Sequence, residues 1–318
     1  MVERVVRRRQ PPLPVRDGLN PSRAQLPSDA QPMLARDFLL HLILTQTHRH
    51  PNDDAAAVDR RFARDEVRNP QGRPYAADDV MSPGACMWFY RTPGPERPVP
   101  HEIPIIYSDS YILVADKPPF LATMPRGRHI TETATVRLRR ATGNQDLSPA
   151  HRLDRLTSGV LVFTQRPEFR RPYQELFAHR QVHKVYEALA PYSPDIAPGT
   201  VWEHRIEKTP GALQAVLVDG PANARTRVLK VEPLPNTDLA RYTLAPETGR
   251  THQLRLHMAH AGVPILGDPL YPTPSHSAEE DFTQPMRLLA RELSFTDPID
   301  GAPRVFRSPR RHTPLSCE

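Results

Sequence analysis

The stretch HRLDRLTSG at residues 151–159, which runs directly into VLVFT at 160–164, is the most informative part of this 318-residue chain. The polar first half predicts a loop and the apolar second half a buried strand, so Asp154 lies at the mouth of a rigid element. Arg152 and Arg155 flank it and favour its ionised form. Such a carboxylate suits a nucleophile or a base, although an aspartate in a loop often only ties down a turn.

Two later segments carry further candidate residues. KVY at 184–186 opens a strand and places the ring of Tyr186 where it can lie beside a planar base; a half-buried sheet tyrosine is the alternative. GRTHQLRLHM at 249–258 reads as a loop and helix start, with Thr251 as the cap of a helix over 252–260 and Gly262 past its end. The apolar spacing of that helix predicts that Arg255 points away from the core, toward a cleft or solvent.

The remaining patterns predict an α+β domain around a largely antiparallel sheet, because strands and helices alternate irregularly and not as βαβ repeats. A hairpin is expected over 105–107 and 111–115. Helices are expected over 131–142 and 169–179, and strands over 159–164, 184–189, 226–231 and 241–244, with 287–295 as the last strand.

Proline, at 38 residues, is more than twice as frequent as the usual ~5% and marks the expected boundaries. Residues 1–32 read as a disordered Pro/Arg-rich tail. Residues 33–92 read as a small module with helices over 33–48 and from an Asn52 cap to about 67, then a hairpin around Gln71-Gly72. Residues 93–104 are expected to form a linker, 105–312 the main domain and 313–318 a second tail.

Composition excludes several classes of protein. Cys86 and Cys317 are the only cysteines, so neither a zinc cluster nor a disulfide framework is expected. His252, His257 and His260 lack cysteines or clustered carboxylates beside them, and we expect no metal there. No nucleotide-binding glycine motif, secretory signal or membrane-spanning run occurs, and a cytoplasmic protein is expected.

The charge balance permits nucleic-acid binding without showing it. Lys+Arg number 42 against 36 Asp+Glu, a net charge of +6. Only four of these cations are lysines; a GC-rich genome or phosphate binding explains the excess of arginine. The arginines at 126, 128, 137, 139 and 140 are candidates for contacts with phosphates, or for a solvated helix face.

Taken together, the three motifs resemble the RluA-type pseudouridine synthases. VADKP at 114–118 and the closing stretch 288–295 match that family as well, so the resemblance covers roughly residues 100–312. Lys117-Pro118-Pro119-Phe120 lacks the glycine that many members have there, which affects a structural turn and not the chemistry. The small module at 33–92 resembles the S4-like RNA-binding module that often precedes these domains; a structural appendage is the alternative.

The resemblance implies a pseudouridine synthase fold with a central cleft, and isomerisation of uridine to pseudouridine in ribosomal or transfer RNA without a cofactor or metal. It assigns the catalytic carboxylate to Asp154, base stacking to Tyr186 and an ion pair with Asp154 to Arg255. Arg152 would fill the hole left by the flipped uridine. His151 and Arg250 would also bind substrate, and Ile265 and Leu266 would line the uracil pocket. The implied partner is RNA; we expect a monomer with no membrane and no obligatory protein partner.

Two other functions remain open at this point. One is a catalytically silent RNA-binding or RNA-folding protein on the same fold, which the intact Asp154, Tyr186 and Arg255 disfavour. The other is a nucleoside or glycoside hydrolase, which normally needs a second carboxylate as acid. The motifs assign no such partner to Asp154.

Overall fold

The computed structural model describes residues 11–275 and 280–312. The chain divides into two compact units. The first contains the residues up to Arg97 together with Pro125–Glu132 and Arg139–Gln145, and the second contains Pro98–Met124, Thr133–Leu138 and the residues from Asp146 onward.

The first unit has two helices and two short two-stranded sheets. Its elements are β1 (Ser22–Gln25), β2 (Met33–Leu34), α1 (Ala35–Leu44), α2 (Ala55–Ala63), β3 (Val80–Met81) and β4 (Cys86–Phe89). β1 pairs with β4 and β2 with β3, both antiparallel. Phe38, Leu39 and Ile43 of α1 pack with Val58 and Phe62 of α2 in one buried cluster, so this unit has a core of its own.

Part of the predicted N-terminal tail is ordered, which corrects the expectation of disorder over 1–32. Ser22–Gln25 forms the strand that pairs with Cys86–Phe89, and Leu26 is buried in the core of this unit. Pro21 and Pro27 flank this strand and do not interrupt it, so its backbone N–H groups remain free to pair. Residues 1–10 and 313–318, the rest of the two predicted tails, lie outside the described residues.

Local details of the first unit also differ from the sequence prediction. The cap of α2 is Asp54, which accepts a hydrogen bond from the Ala57 N–H at 2.9 Å, and not Asn52. Arg139 donates to the Gly18 carbonyl and Arg140 to the Asp17 carbonyl. These two arginines therefore fix the backbone at Asp17 and Gly18. Because Pro125–Glu132 and Arg139–Gln145 also belong to the first unit, the boundary between the units is not a single linker at 93–104.

The second unit is built on a large sheet. Its strands are β5 (Ile105–Ser108), β6 (Ile112–Lys117), β7 (Ser148–Pro149), β8 (Ser158–Thr164), β9 (His183–Pro191), β10 (Val201–Glu207), β11 (Val216–Val218), β12 (Ala224–Pro233), β13 (Leu239–Pro246), β14 (Leu288–Thr296) and β15 (Pro303–Arg307). Its helices are α4 (Arg170–Ala178) and α5 (Gln253–His260), while α3 (Ala134–Thr142) contributes residues to both units.

The strand order is β11-β10-β12-β13-β9-β14-β8-β6-β5, with β15 beside β14 and β7 beside β8. Every pairing is antiparallel except that of β14 with β8. The predicted α+β class with a largely antiparallel sheet is therefore confirmed. The strand predicted as the last one is followed by β15, which pairs with its second half. Within the described residues, no helix has both the length and the apolar character needed to cross a bilayer.

The parallel pair β8–β14 depends on Gly159. Its φ of +113° lies outside the region that other residues adopt readily, and a Cβ built there would lie 2.2 Å from the Ala290 carbonyl oxygen. A glycine is therefore required for the two strands to approach so closely. Gly159 lies five residues after Asp154, so this contact fixes the start of the strand that follows the loop carrying Asp154.

Candidate active site

Asp154 lies in the loop between β7 and β8, and the backbone of this loop is held on both sides. Its carbonyl accepts a hydrogen bond from the Thr157 N–H at 3.1 Å. The buried Thr123 hydroxyl donates to the Leu153 carbonyl at 2.8 Å and accepts from the Leu153 N–H at 3.1 Å. The Asp154 side chain remains 31% exposed, so a fixed loop presents a carboxylate that a substrate can reach.

Lys117 lies under this loop and was not among the candidate residues. Its side chain is fully buried and donates to the carbonyls of Pro118, Leu121 and Arg155 at 2.9, 2.8 and 3.1 Å. Burial lowers its pKa well below the usual value, while the charge of Asp154 acts in the opposite direction. The only sequence signal was a lysine at the end of a strand that begins with four apolar residues.

Arg255 is buried and does not point to solvent as one sequence alternative had it. Its Nη1 lies 3.8 Å from Asp154 Oδ2, which is an ion pair. Its closer partner is Asp268, whose two oxygens accept from Nε at 2.7 Å and from Nη2 at 2.6 Å. Burial lowers the pKa of Arg255, but its hydrogen bonds to Asp268 and the negative charges of Asp268 and Asp154 more than offset this, and the pKa is raised overall. Asp268 is the main residue of the site that sequence reasoning missed.

Tyr186 lies on β9, opposite Ala290 of β14 and Leu244 of β13. Its ring is half-buried and packs against two apolar clusters of the second unit. Burial raises its pKa, and the nearby negative charge of Asp154 raises it further. The hydroxyl is therefore protonated near neutral pH, and the ring supplies an apolar surface beside the carboxylate.

His252 is the cap residue just before α5. It has a left-handed conformation, with φ +58°, and its side chain makes no capping hydrogen bond. The predicted cap at Thr251 is therefore wrong. The His252 Nδ1 lies 3.0 Å from the Tyr271 hydroxyl, and the guanidinium carbon of Arg255 lies 5.3 Å from the centre of the Tyr271 ring. Burial lowers the pKa of His252, and the charge of Asp154 opposes this shift. A left-handed non-glycine residue is uncommon and often marks a functional site.

The structure places the three remaining polar candidates differently from one another. Arg152 is exposed and makes no hydrogen bond or ion pair within residues 11–275 and 280–312. His151 is turned inward: its ring stacks on Phe177 at 4.3 Å, and its Nε2 accepts from the Val162 N–H at 3.1 Å. Burial lowers its pKa to about 3. Arg250 is exposed, and its Nε donates to the Asn223 carbonyl at 3.2 Å.

Ile265 and Leu266 lie on the segment between α5 and the Asp268 turn. Ile265 is buried in the same cluster against which Tyr186 packs. Leu266 is half-buried, and its N–H donates to the Leu189 carbonyl of β9 at 2.8 Å. The predicted apolar residues therefore lie along the strand that carries Tyr186.

The histidines of α5 are not arranged for a metal. His257 is buried, and its Nδ1 lies 2.9 Å from the Thr226 hydroxyl oxygen. Within the described part of the chain, no three or more histidine, cysteine or acidic side chains are grouped to hold an ion.

Phe120 occupies the turn that lacks the expected glycine. Its φ is +69°, so it keeps a left-handed conformation that costs a residue with a side chain roughly 1–3 kcal/mol. Its ring is buried and meets Phe282 edge to face at 5.1 Å, and its carbonyl accepts from Arg155 Nη1 at 3.2 Å. Packing offsets the strain, and the turn still supports the loop that carries Asp154.

Comparison with known proteins places this site in a family. The sequence profile described as RNA pseudouridylate synthase matches residues 111–260. The chain is 34% identical over 219 residues, 66% of its length and 94% of the relative's, to the dual-specificity RNA pseudouridine synthase RluA of Haemophilus influenzae. It is 32% identical over 221 residues, 64% of its length and 89% of the relative's, to the tRNA pseudouridine synthase C of Vibrio cholerae.

A solved structure agrees with the sequence comparison. The human RNA pseudouridylate synthase domain containing 1 matches with a TM-score of 0.53 and 26% identity, over 66% of this chain and 84% of that one. The profile match includes the segments that carry Asp154, Tyr186 and Arg255. The chain therefore belongs to the RluA-type pseudouridine synthases, a family of RNA-modifying isomerases.

Proposed function

We propose that this protein converts uridine to pseudouridine within ribosomal or transfer RNA, with Asp154 as the catalytic carboxylate and without a cofactor. The observation that carries the proposal is the setting of Asp154. It is the half-exposed carboxylate of a fixed loop, paired with the buried Arg255 and close enough to Tyr186 for its charge to raise the pKa of the tyrosine.

The reaction is an isomerisation and involves no net oxidation or reduction of the substrate. The N1–C1′ bond of the nucleotide breaks, the uracil turns, C5 bonds to C1′, and the proton on C5 is lost while N1 gains one. Atoms and electrons balance within the substrate, so no oxidant or group donor is required. Asp154 acts on this substrate by attacking C1′, by adding to the ring, or by removing a sugar proton. Each of these roles requires an ionised and accessible carboxylate.

Reaching a uridine inside folded RNA requires that the nucleotide leave its stack, at a cost of a few kcal/mol. Arg152, two residues from Asp154, is exposed and has no ion-pair partner among the described residues, so it is suited to occupy the space that the uridine vacates. The apolar ring of Tyr186 is suited to stack on the flipped base, and Ile265 and Leu266 extend that apolar side. His151 and Arg250 contribute indirectly, since their hydrogen bonds to Val162 and Asn223 hold the loop at β8 and the start of α5.

The named relatives support RNA as the substrate. One is a dual-specificity RNA enzyme and another acts on tRNA. We extend this class of substrate to the present chain, with ribosomal and transfer RNA as the two candidates.

Glycosidic hydrolysis fits the site less well. Asp268 is a second carboxylate close to Arg255, but both its oxygens already accept hydrogen bonds from that arginine. It is therefore not available as the acid that a hydrolase of this type needs.

The test is to incubate the purified protein with uridine-containing ribosomal and transfer RNA transcripts, and to measure pseudouridine and free uracil. The proposal expects pseudouridine without uracil. Free uracil would identify a hydrolase. RNA binding without either product, on transcripts of both classes, would favour the catalytically silent protein.

A further inference from the structure

The guanidinium of Arg255 has two distinct sides. Nε and Nη2 donate to the two oxygens of Asp268 at 2.7 and 2.6 Å, which is the strong bidentate geometry of an arginine–carboxylate pair. Nη1 faces Asp154 Oδ2 at 3.8 Å. This distance is about 1 Å longer than a charge-assisted hydrogen bond. Arg255 therefore neutralises Asp154 from a distance and leaves its oxygens free of this donor.

Asp268 is itself held in place by backbone hydrogen bonds. Its side chain is 1% exposed, and its Oδ1 accepts hydrogen bonds from the Leu270 N–H at 2.9 Å and the Tyr271 N–H at 3.3 Å. These backbone donors fix the carboxylate in a turn after Ile265. Asp268 is thus a rigid anchor for Arg255, and the guanidinium cannot move closer to the Asp154 carboxylate without breaking two short hydrogen bonds.

This geometry bears on how Asp154 reacts, and the inference rests on the proposed function. We infer that Asp268 is a positioning residue that holds Arg255 back from Asp154, so that the carboxylate stays charged while its oxygens remain free to act on the substrate. An arginine in direct hydrogen-bond contact would stabilise the charged form more, but it would occupy an oxygen and reduce its reactivity as nucleophile or base.

Other charged and titratable groups face the same carboxylate. Lys117 of β6, Tyr186 of β9, His252 at the start of α5, and Tyr271 all interact electrostatically with Asp154. Asp268 also acts on His252 and Tyr271, so the loss of its charge in Asp268→Asn lowers the pKa of both. A shift of the pH profile in that variant therefore supports the inference only together with a fall in kcat.

The test is the pH dependence of kcat/KM for RNA isomerisation in Asp268→Asn. Without the anion at 268, Arg255 is attracted to Asp154 and closes to about 2.8 Å. The closer guanidinium and the loss of the Asp268 charge both favour the ionised carboxylate, so the acidic limb should move to lower pH. We expect kcat to fall about tenfold, because the carboxylate becomes less reactive. An unchanged limb, or an upward shift, would overturn the inference.

Asp297→Asn is the matched control. Asp297 is a fully buried carboxylate that accepts from Arg304 Nε at 3.1 Å and from the Tyr173 hydroxyl. Removing its charge breaks an ion pair whose carboxylate is as buried as Asp268 and which does not involve Asp154, Arg255 or Tyr186. We expect a lower Tm with the wild-type pH profile. If Asp297→Asn shifted the acidic limb as Asp268→Asn does, the shift would reflect general loosening and the inference would fail.

Two further variants complete the test. If Asp268→Asn does not fold, Asp268→Glu takes its place, since it keeps the charge but displaces Arg255 by about one methylene. In this variant kcat should fall while the acidic limb stays unchanged. A wild-type kcat would contradict the inference. Asp154→Asn, measured in parallel, separates the two proposals. Substantial activity in Asp154→Asn removes the proposed function, whereas an inactive Asp154→Asn with a wild-type Asp268→Asn profile removes only the role of Asp268.

Discussion

Replacing Gly159 by alanine is expected to destabilise the second unit and to damage its active site. An added Cβ would lie 2.2 Å from the Ala290 carbonyl oxygen and 2.8 Å from its carbonyl carbon and amide nitrogen. These are backbone atoms of β14, which cannot move aside as the end of a flexible side chain can. β8 and β14 must therefore separate, and Ala290 is the residue opposite Tyr186 on β9.

The magnitude follows from two contributions. A side chain at φ +113° costs about 1–3 kcal/mol of backbone strain, and overpacking between two strands costs a further 1–3 kcal/mol or so. The sum of roughly 2–6 kcal/mol corresponds to a fall in Tm of roughly 5–20 °C for a unit of this size. The assay is a thermal melt followed by circular dichroism, together with kcat on RNA below the melting range.

Gly199→Ala separates the two contributions. Gly199 has φ +94°, and a Cβ built there meets no described atom within 4 Å. This variant should therefore lose only the strain, about 1–3 kcal/mol, and keep the wild-type kcat. Equal losses of Tm in the two variants, or a wild-type Tm in Gly159→Ala, would refute the reasoning from the β8–β14 contact.

Four further predictions follow from the structure. Arg152→Ala should leave Tm unchanged, because the side chain is exposed and unpaired within the described residues, and should lower kcat/KM on RNA; an unchanged kcat/KM would remove Arg152 from substrate binding. RNA affinity should fall with salt, by about 0.7–0.9 in the slope of log K against log salt for each phosphate contact, and a slope near zero would contradict a cationic RNA surface. The free energy of unfolding should fall as pH drops below about 6.5, because burial lowers the pKa of His151 to about 3 and of His257 and His312 to about 4. Below that pH the unfolded chain binds more protons than the folded chain. Denaturant titrations that show no fall in the free energy of unfolding would contradict these pKa shifts. Deleting residues 1–92 should lower Tm, since it removes the Gly18 carbonyl to which the buried Arg139 donates; a truncated protein that melts like the full chain would show that this contact adds nothing.

The elements that the sequence predicted best are those whose signal is local. The apolar run at 159–164 became β8, and the hairpin at 105–115 became β5 and β6. Gly262 has the positive φ expected just after α5. In each case the pattern of a few neighbouring residues is enough to determine the backbone, and tertiary contacts agree with it.

The features that the sequence missed depend on residues distant in the chain. Ser22–Gln25 becomes a strand because Cys86–Phe89 offers it a partner, which a proline-rich composition cannot reveal. Lys117 is buried because three carbonyls surround it, one of them from Arg155.

At the candidate site, too, the sequence missed a contact between residues that no local motif links. Asp154, Tyr186 and Arg255 were predicted from motifs, and the structure brings them together. The bidentate partner of Arg255 was not predicted, because an aspartate before a proline reads as an ordinary turn residue. Only the geometry shows that Asp268, and not Asp154, holds the guanidinium.

The measurement that tests the account most directly is the pseudouridine yield of Asp154→Asn on an RNA that the wild-type protein modifies, with RNA affinity and Tm measured on the same preparation. The substitution keeps the size of the side chain but removes the carboxylate, and 31% of this side chain is exposed, so folding should tolerate it. We predict no detectable pseudouridine, with Tm and RNA affinity near those of the wild type. Substantial turnover by a folded Asp154→Asn protein would show that the carboxylate is not the catalytic group.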